Sequence, residues 1–298
     1  MKKKYLFCAL TIAVCSLLTQ RGTAQLYTFG AGYFQNEYLL NPAMSGLENG
    51  KGHVGAGYAR QGNVSNTPTS IYLNGDYGFA GNMGVGLNVY SDRAGLLNAT
   101  KVMATYTYHI QLGTEQQRLH LGISVGGQQY RLNFQDVNGD LNDPSLYSYN
   151  DQNSMKFEMD AGLAYTDGKL NIQAAFPNLA SYARKETGTV ANRPTFFLAG
   201  SYKLHIDGDE DGMTVEPKVA FRGISGNDNI LDAGANLVFL KNVLNIFGLY
   251  HTTKNITVGA GLRILDIAQA TVIYSTQSAD FKAYSRGDYE LGLKFFLK

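Results

Sequence analysis

Side-chain character alternates with a period of two along most of this chain, and that restricts it to β-structure. From Met83 to Val89, Met83, Val85, Leu87 and Val89 share one face, while Gly84, Gly86 and Asn88 share the other. The same pattern runs through residues 102–112, 119–126, 157–165 and 256–264. Successive side chains of a strand point to opposite sides, so each segment presents one apolar face and one mixed face. No stretch of comparable length shows helical spacing.

Fourteen strands are expected, near 53–60, 70–79, 83–91, 98–112, 118–130, 156–166, 169–176, 194–206, 213–222, 229–240, 243–250, 255–264, 266–274 and 286–297. The count is even, as single-chain bacterial barrels require, and many segments have the nine to eleven residues of a tilted membrane-crossing strand. The connections alternate in length. Those after even-numbered strands are short, such as Ala80-Gly81-Asn82, Asp167-Gly168 and Lys241-Asn242. Several after odd-numbered strands are long, such as 61–69, 131–155, 177–193 and 275–285. Short periplasmic turns and long outer loops mark an outer-membrane barrel with both termini on the periplasmic side. The expected fold is therefore an all-β, transmembrane antiparallel barrel of about fourteen strands in the outer membrane of a Gram-negative bacterium. Its closing strand carries Tyr289, Leu291, Leu293, Phe295 and Leu297 on one face.

Composition removes the competing classes. Charged residues make up 16% against roughly 25% in average soluble chains, with 34 Gly, 20 Tyr and 15 Phe. That is too apolar and aromatic for disorder and too poorly charged for a coiled coil. A formal net charge of +1 gives no basic surface for nucleic acid.

The first 24 residues read as a secretory signal peptide. Lys2, Lys3 and Lys4 precede an apolar stretch from Tyr5 to Leu18, and Gly22-Thr23-Ala24 supplies the cleavage site before Gln25. Both cysteines, Cys8 and Cys15, leave with it, which removes disulfides and thiolate chemistry together. Ala13-Val14 before Cys15 lacks the small residue of a lipidation site. No later run is long and apolar enough for a transmembrane helix. Residues 25–50 are expected to form a periplasmic tail or a plug in the lumen, and residues 51–298 the barrel.

The search for chemistry is mostly negative. His53, His109, His120, His205 and His251 form no H-E-x-x-H pair. His109 and His120 are expected in the lumen on neighbouring strands, able to approach each other but solvated. Asp207-Gly208-Asp209-Glu210-Asp211-Gly212 starts like a calcium loop, but Lys218 stands where the bidentate Glu belongs. The pairs Gly84/Gly86 and Gly259/Gly261 read as strand glycines that relieve crowding. No G-x-S-x-G elbow occurs. Glu158, Asp160, Arg222, Arg263 and Lys294 suit a polar lumen. Neither an enzyme nor a cofactor is expected. The sequon matches at Asn63, Asn98 and Asn255 read as chance.

The segment Tyr33-Phe34-Gln35-Asn36-Glu37-Tyr38-Leu39-Leu40-Asn41-Pro42-Ala43-Met44-Ser45-Gly46 resembles the N-terminal signature of the PorP/SprF family. Further pieces follow in that family's order: Thr67-Pro68-Thr69, Ser91-Asp92-Arg93-Ala94-Gly95, Phe176-Pro177-Asn178-Leu179, Arg193-Pro194, and Gly287-Asp288-Tyr289-Glu290-Leu291-Gly292. The likeness covers nearly all of the mature chain. It departs at Arg60-Gln61-Gly62, where relatives often carry Gln-Trp and this chain has no Trp. The resemblance implies a non-enzymatic outer-membrane component of the type IX secretion and gliding machinery. Its implied partners are a periplasmic ring lipoprotein with its companion, the C-terminal domain of a large secreted adhesin, and outer-membrane lipid. Tyr38, Asn41, Pro42, Ala43, Gly46, Pro177 and Asn178 are the expected partner-binding residues. The alternative is a channel for small or hydrophobic solutes, plugged like a fatty-acid transporter. A lumen packed by Tyr72, Tyr90, Phe247 and Phe296 would count against it.

Overall fold

The computed structural model describes residues 32–62, 67–80, 82–113, 116–132, 155–183, 194–206, 212–224, 229–276 and 287–297. The strands are β1 (Gly52–Gln61), β2 (Thr69–Phe79), β3 (Met83–Ala94), β4 (Leu97–Gln111), β5 (Arg118–Leu132), β6 (Lys156–Thr166), β7 (Leu170–Phe176), β8 (Pro194–Tyr202) and β9 (Leu204–His205). They continue with β10 (Thr214–Ile224), β11 (Ile230–Phe239), β12 (Leu244–His251), β13 (Asn255–Ile264), β14 (Ala268–Ser275) and β15 (Asp288–Leu297). A short helix, α1 (Leu179–Ala183), follows β7.

Neighbours along the chain pair antiparallel, and β15 returns to β1 in unbroken register from Gly52↔Leu297 to Gln61↔Asp288. That last pairing closes the sheet. β8 and β9 both pair with β10 and share one place in the wall, so the barrel has fourteen strand positions. The sequence pattern predicts one continuous strand over 194–206; the structure interrupts it at Lys203. The cause lies on the neighbouring strand. In the register Lys218↔Ser201 and Val215↔Leu204, the gap falls opposite Glu216 and Pro217. Proline has no N–H to give the ladder.

Alternation decides which side chains meet lipid. On β13, Ile256, Val258, Leu262 and Ile264 point outward and are exposed, while Asn255 and Thr257 point inward and are buried. On β15, Tyr289, Leu291, Leu293, Phe295 and Leu297 form the outward row, with Glu290 inward. The outer surface is thus an apolar band, and the inner surface carries Asn, Thr, Ser, His, Glu, Asp, Lys and Arg. The connections keep the expected parity. Tight turns close the end where β1 begins and β15 finishes, with backbone in the left-handed region at Asn82, Gly113 and Gly168. The β3–β4 hairpin at the other end is tighter than expected, turning through Gly95 between Ala94 and Leu97. Among the described residues no helix is long and apolar enough to cross a membrane.

A charge at the centre of the outer band should be costly. Val258→Lys is expected to lower the unfolding free energy in lipid vesicles by about 2–4 kcal/mol. Urea titration followed by heat-modifiable gel mobility checks this, with the inward Thr257→Lys as a comparison.

Candidate functional site

Residues 32–50 run inside the barrel as a plug. Two features of the local sequence shape it. Gly32 accepts hydrogen bonds from the Gln35 and Asn36 N–H groups in a tight turn. Asn41 then has an extended backbone, and its side chain accepts from the Ala43 N–H at 3.0 Å. Pro42 follows at the first helical position, where its fixed φ fits and its missing N–H costs nothing. The two short 3-10 turns that result, Glu37–Leu39 and Pro42–Met44, are too short to satisfy their own backbone. The wall meets several of the remaining groups. The plug leaves at the short-turn end, where Gly50 N–H donates to Gly78 O at 2.7 Å.

The wall holds the plug from all sides. Tyr38 Oη bonds Thr105 Oγ1 on β4 at 2.8 Å. Asn41 Nδ2 donates to Leu163 O on β6 at 3.2 Å and to Gln173 Oε1 on β7. Ser45 bonds Thr107, and Thr107 Oγ1 also donates to Pro42 O at 3.0 Å. Gly46 N–H donates to Asp76 Oδ2 on β2 at 2.8 Å. Asn36 exchanges amide bonds with Asn74 on β2, and Gln269 on β14 donates to Gln35 at 2.7 Å. The plug backbone also sits directly on two wall glycines. A Cβ on Gly122 would strike Ala43 N and the Pro42 carbonyl carbon, and one on Gly162 would strike Asn41 Oδ1. Tyr33, Tyr38, Asn41, Ala43, Met44 and Ser45 are all buried as a result.

Charge is concentrated where the plug begins. Asp232 on β11 is fully buried; it accepts from Tyr33 Oη and from Arg222 Nη2 at 3.2 Å, meets His251 Nδ1, and forms an ion pair with Arg222 whose Nε lies 2.9 Å from Oδ2. Tyr33 stacks on Phe197 at 5.8 Å between centroids, with Arg222 over its ring. Nearby, buried Lys218 pairs with Glu37 and donates to Tyr33 O at 2.9 Å, while Asn171 Nδ2 donates to both Glu37 oxygens. Burial pushes the phenols of Tyr33 and Tyr38 well above their ordinary range, so both stay neutral hydrogen-bonding groups.

His109 and His120 stand directly opposite in the β4–β5 register, with their Nδ1 atoms 2.7 Å apart. They are not solvated, as the sequence reading expects, but buried beneath the plug. For two neutral imidazoles the partners fix the protons. Gly46 O only accepts, so His109 Nε2, 2.9 Å away, carries hydrogen. His109 Nδ1 then accepts from His120 Nδ1–H, and His120 Nε2 accepts from Thr166 Oγ1 at 2.8 Å. Among the described residues no group of three or more His, Cys, Asp or Glu is placed to hold a metal. Residues 207–211 of the calcium-like segment lie outside the described residues.

The structure therefore places Tyr38, Asn41, Pro42, Ala43 and Gly46 in the lumen, packed on the wall. Pro177 and Asn178 lie elsewhere, where the β7–β8 connection turns inward. Asn178 has a left-handed backbone, φ 59°, and its N–H donates to Asp160 Oδ1 at 2.7 Å. Lys101 Nζ reaches both Asp160 oxygens at 2.8 Å and Asn178 Oδ1 at 3.1 Å, pinning the turn to β4 and β6. The sequence reading named Arg222 as a lumen charge but missed the Asp232 cluster. Inward parity on β10, β11 and β12 was the available signal for it.

Tyr72 and Phe247 are buried, and Tyr90 packs beside Tyr72 and Leu39. Between plug and wall there remains a cavity of ≈ 20 Å³ beside Gln35, Asn36, Tyr72, Glu290 and Lys294. It holds about one water.

Two replacements separate plug seating from barrel assembly. Gly122→Val should unseat the plug and leave the wall folded. A cysteine at Ala43→Cys, unreactive to maleimide in the parent barrel, should then label. Asp232→Asn leaves Arg222 buried and uncompensated, and is expected to cost about 3–5 kcal/mol of unfolding free energy in urea titration.

A closed antiparallel barrel with an apolar outer band, a polar lumen and a built-in plug defines an outer-membrane β-barrel protein. The family model for the type IX secretion system membrane protein PorP/SprF matches residues 23–295, and the chain belongs to that family. No curated protein matches the chain. Among solved structures it is similar to the Acinetobacter baumannii outer membrane protein Omp33, at 11% identity over 85% of this chain and 100% of that one, TM-score 0.48. It is also similar to the KdgM porin, at 13% identity over 82% and 98%, TM-score 0.38. A Rhodopseudomonas blastica porin mutant gives 10% over 83% and 99%, TM-score 0.37.

Proposed function

We propose that this barrel is a plugged, non-enzymatic scaffold of the type IX secretion machinery that works at its two ends rather than through its lumen. The observation that carries this is the plug. Residues 32–50 are held by strands on all sides, through hydrogen bonds, a buried ion pair and contact on wall glycines. A lumen filled this way is a poor diffusion path. The packing of Tyr72, Tyr90 and Phe247 around the plug counts against the solute-channel alternative.

In this reading the short-turn end meets the periplasmic ring lipoprotein and its companion. The long connections at the other end hold the C-terminal domain of a secreted adhesin. The motif residues Tyr38, Asn41, Pro42, Ala43 and Gly46 then contribute by seating the plug, so that any effect on partners is transmitted through it. Pro177 and Asn178 fix the inner end of a long outer connection and so set how that loop is presented.

The test is a mild-detergent pull-down of the tagged protein from outer membranes, with mass spectrometry of the co-purifying chains. Recovery of the ring lipoprotein or a large surface adhesin is expected. Recovery of the barrel alone, from membranes in which the ring stays intact, would overturn the reading. Deleting the gene should abolish surface display of one adhesin while outer-membrane permeability stays normal.

A further inference from the structure

The outward face of the wall changes character towards the outer end of β1–β5. Arg60, Thr69, Arg93, Asn98 and Arg131 occupy one row of the register, through the pairs Arg60↔Thr69, Thr69↔Arg93, Arg93↔Asn98 and Asn98↔Arg131. Each arginine continues the lipid-facing parity of its strand. Arg60 follows Val54, Ala56 and Tyr58; Arg93 follows Val85 and Leu87; Arg131 follows Ile123 and Val125. All three arginines are exposed. The next outward row towards the short-turn end carries Ser91, Thr100 and Gln129. The one after that is apolar on β1–β4, with Ala56, Leu73, Val89 and Val102.

An arginine on the lipid face of a barrel is tolerated only near the interface. The arginine row therefore lies at or above the outer edge of the hydrocarbon. Across β1–β5 neither it nor the Ser91 row contains an Asp or Glu. Asp92 and Asp288, next to this row in sequence or register, fall on the inward parity of β3 and β15, and Asp92 accepts from Ser70 Oγ at 2.6 Å. Arg60 Nε donates to Thr67 Oγ1 at 3.2 Å, which steadies that side chain at the rim. The result is a cationic, hydrogen-bonding strip directly above an apolar wall.

Guanidinium groups bind phosphate and carboxylate oxygens bidentately. The arginines stand on alternate strands, so neighbours are roughly 10 Å apart along the row. Barrel strands tilt by about 35–45°, so a row at right angles to them climbs roughly 3 Å per strand, and the three arginines spread over roughly 12 Å of height. The phosphates of a phospholipid leaflet lie in one layer. A ladder of cations over this height, with Thr69 and Asn98 between its rungs, matches a headgroup that carries anionic groups at several levels among sugar hydroxyls. We propose that the outer wall of β1–β5 binds a phosphorylated glycolipid of the outer leaflet. Arg60, Arg93 and Arg131 hold its anionic groups, and Ser91, Thr100 and Gln129 meet its sugars. Its acyl chains lie on Tyr58, Ile71, Leu73 and Leu87, all exposed on the same face.

The test titrates the full-length barrel in phosphatidylcholine nanodiscs with purified lipopolysaccharide whose lipid A is bisphosphorylated, and counts bound glycolipid by native mass spectrometry. The parent is compared with the triple variant Arg60→Gln, Arg93→Gln, Arg131→Gln. Lys254→Gln, at an exposed cation of the β12–β13 turn on the same end of the barrel, serves as the control. Folding of each is confirmed by heat-modifiable mobility, which replacements at exposed outward positions should leave intact. The triple variant is expected to bind about tenfold or more weakly, and Lys254→Gln like the parent. Dephosphorylated lipopolysaccharide should bind the parent as weakly as the intact glycolipid binds the triple variant. Phosphatidylglycerol, which offers one phosphate layer, should compete poorly. Parent-like binding by the triple variant, or an equal loss in Lys254→Gln, would overturn the proposal. Equal competition by phosphatidylglycerol would do so as well, since the strip would then be a surface for any anionic lipid.

Discussion

Everything in this molecule depends on closing the sheet through β1 and β15. In hydrocarbon no water is available to satisfy a free N–H or C=O, and each unsatisfied group costs several kcal/mol. A sheet with an open edge cannot sit there. The unbroken register from Gly52↔Leu297 to Gln61↔Asp288 removes that edge. With the backbone paired around the ring, the outward faces need only be apolar and the inward faces need only find polar partners. The gap in the ladder at Lys203, opposite Glu216 and Pro217, lies just before the short-turn end of the wall, where water can serve the groups that Pro217 leaves unpaired.

The lumen poses the opposite problem. Closure brings Asp232, Arg222, His251, Lys218, His109, His120, Glu158 and Thr107 together on the inside, all buried. Buried charges are tolerable only when paired and hydrogen-bonded. The plug supplies part of that pairing: Tyr33 to Asp232, Glu37 to Lys218, the Gly46 carbonyl to His109. The dependence is mutual, because the plug's two 3-10 turns leave backbone groups that only the wall can meet. Plug and wall thus satisfy one another's buried groups, although they occupy separate stretches of sequence.

This explains which parts of the structure were legible in the sequence. A strand reports its two environments every second residue, so β3, β5, β13 and β15 could be read from Met83, Leu121, Val258 and Leu291 and their neighbours. The facing of His109 and His120 into the lumen followed from the same parity, and their pairing from a short hairpin. Their burial did not follow, because it comes from a plug that has no periodicity. In the plug, Asn41-Pro42 is locally legible as a helix start. What lies opposite it is not, since Leu163 and Gln173 are more than a hundred residues away and reach it only through closure of the ring. The break in β8–β9 is of the same kind: its cause, Pro217, is visible in the sequence, but its location needs the register.

The same logic accounts for the left-handed backbones. Asn178 is held in a left-handed conformation by Asp160 and Lys101, and Asn tolerates that region well. Asn82 and Asn242 occupy turn positions that asparagine suits. Leu240, Lys241, Lys254 and Leu265 hold positive φ in tight hairpin turns, where the twist of the flanking strands selects that backbone whatever the side chain.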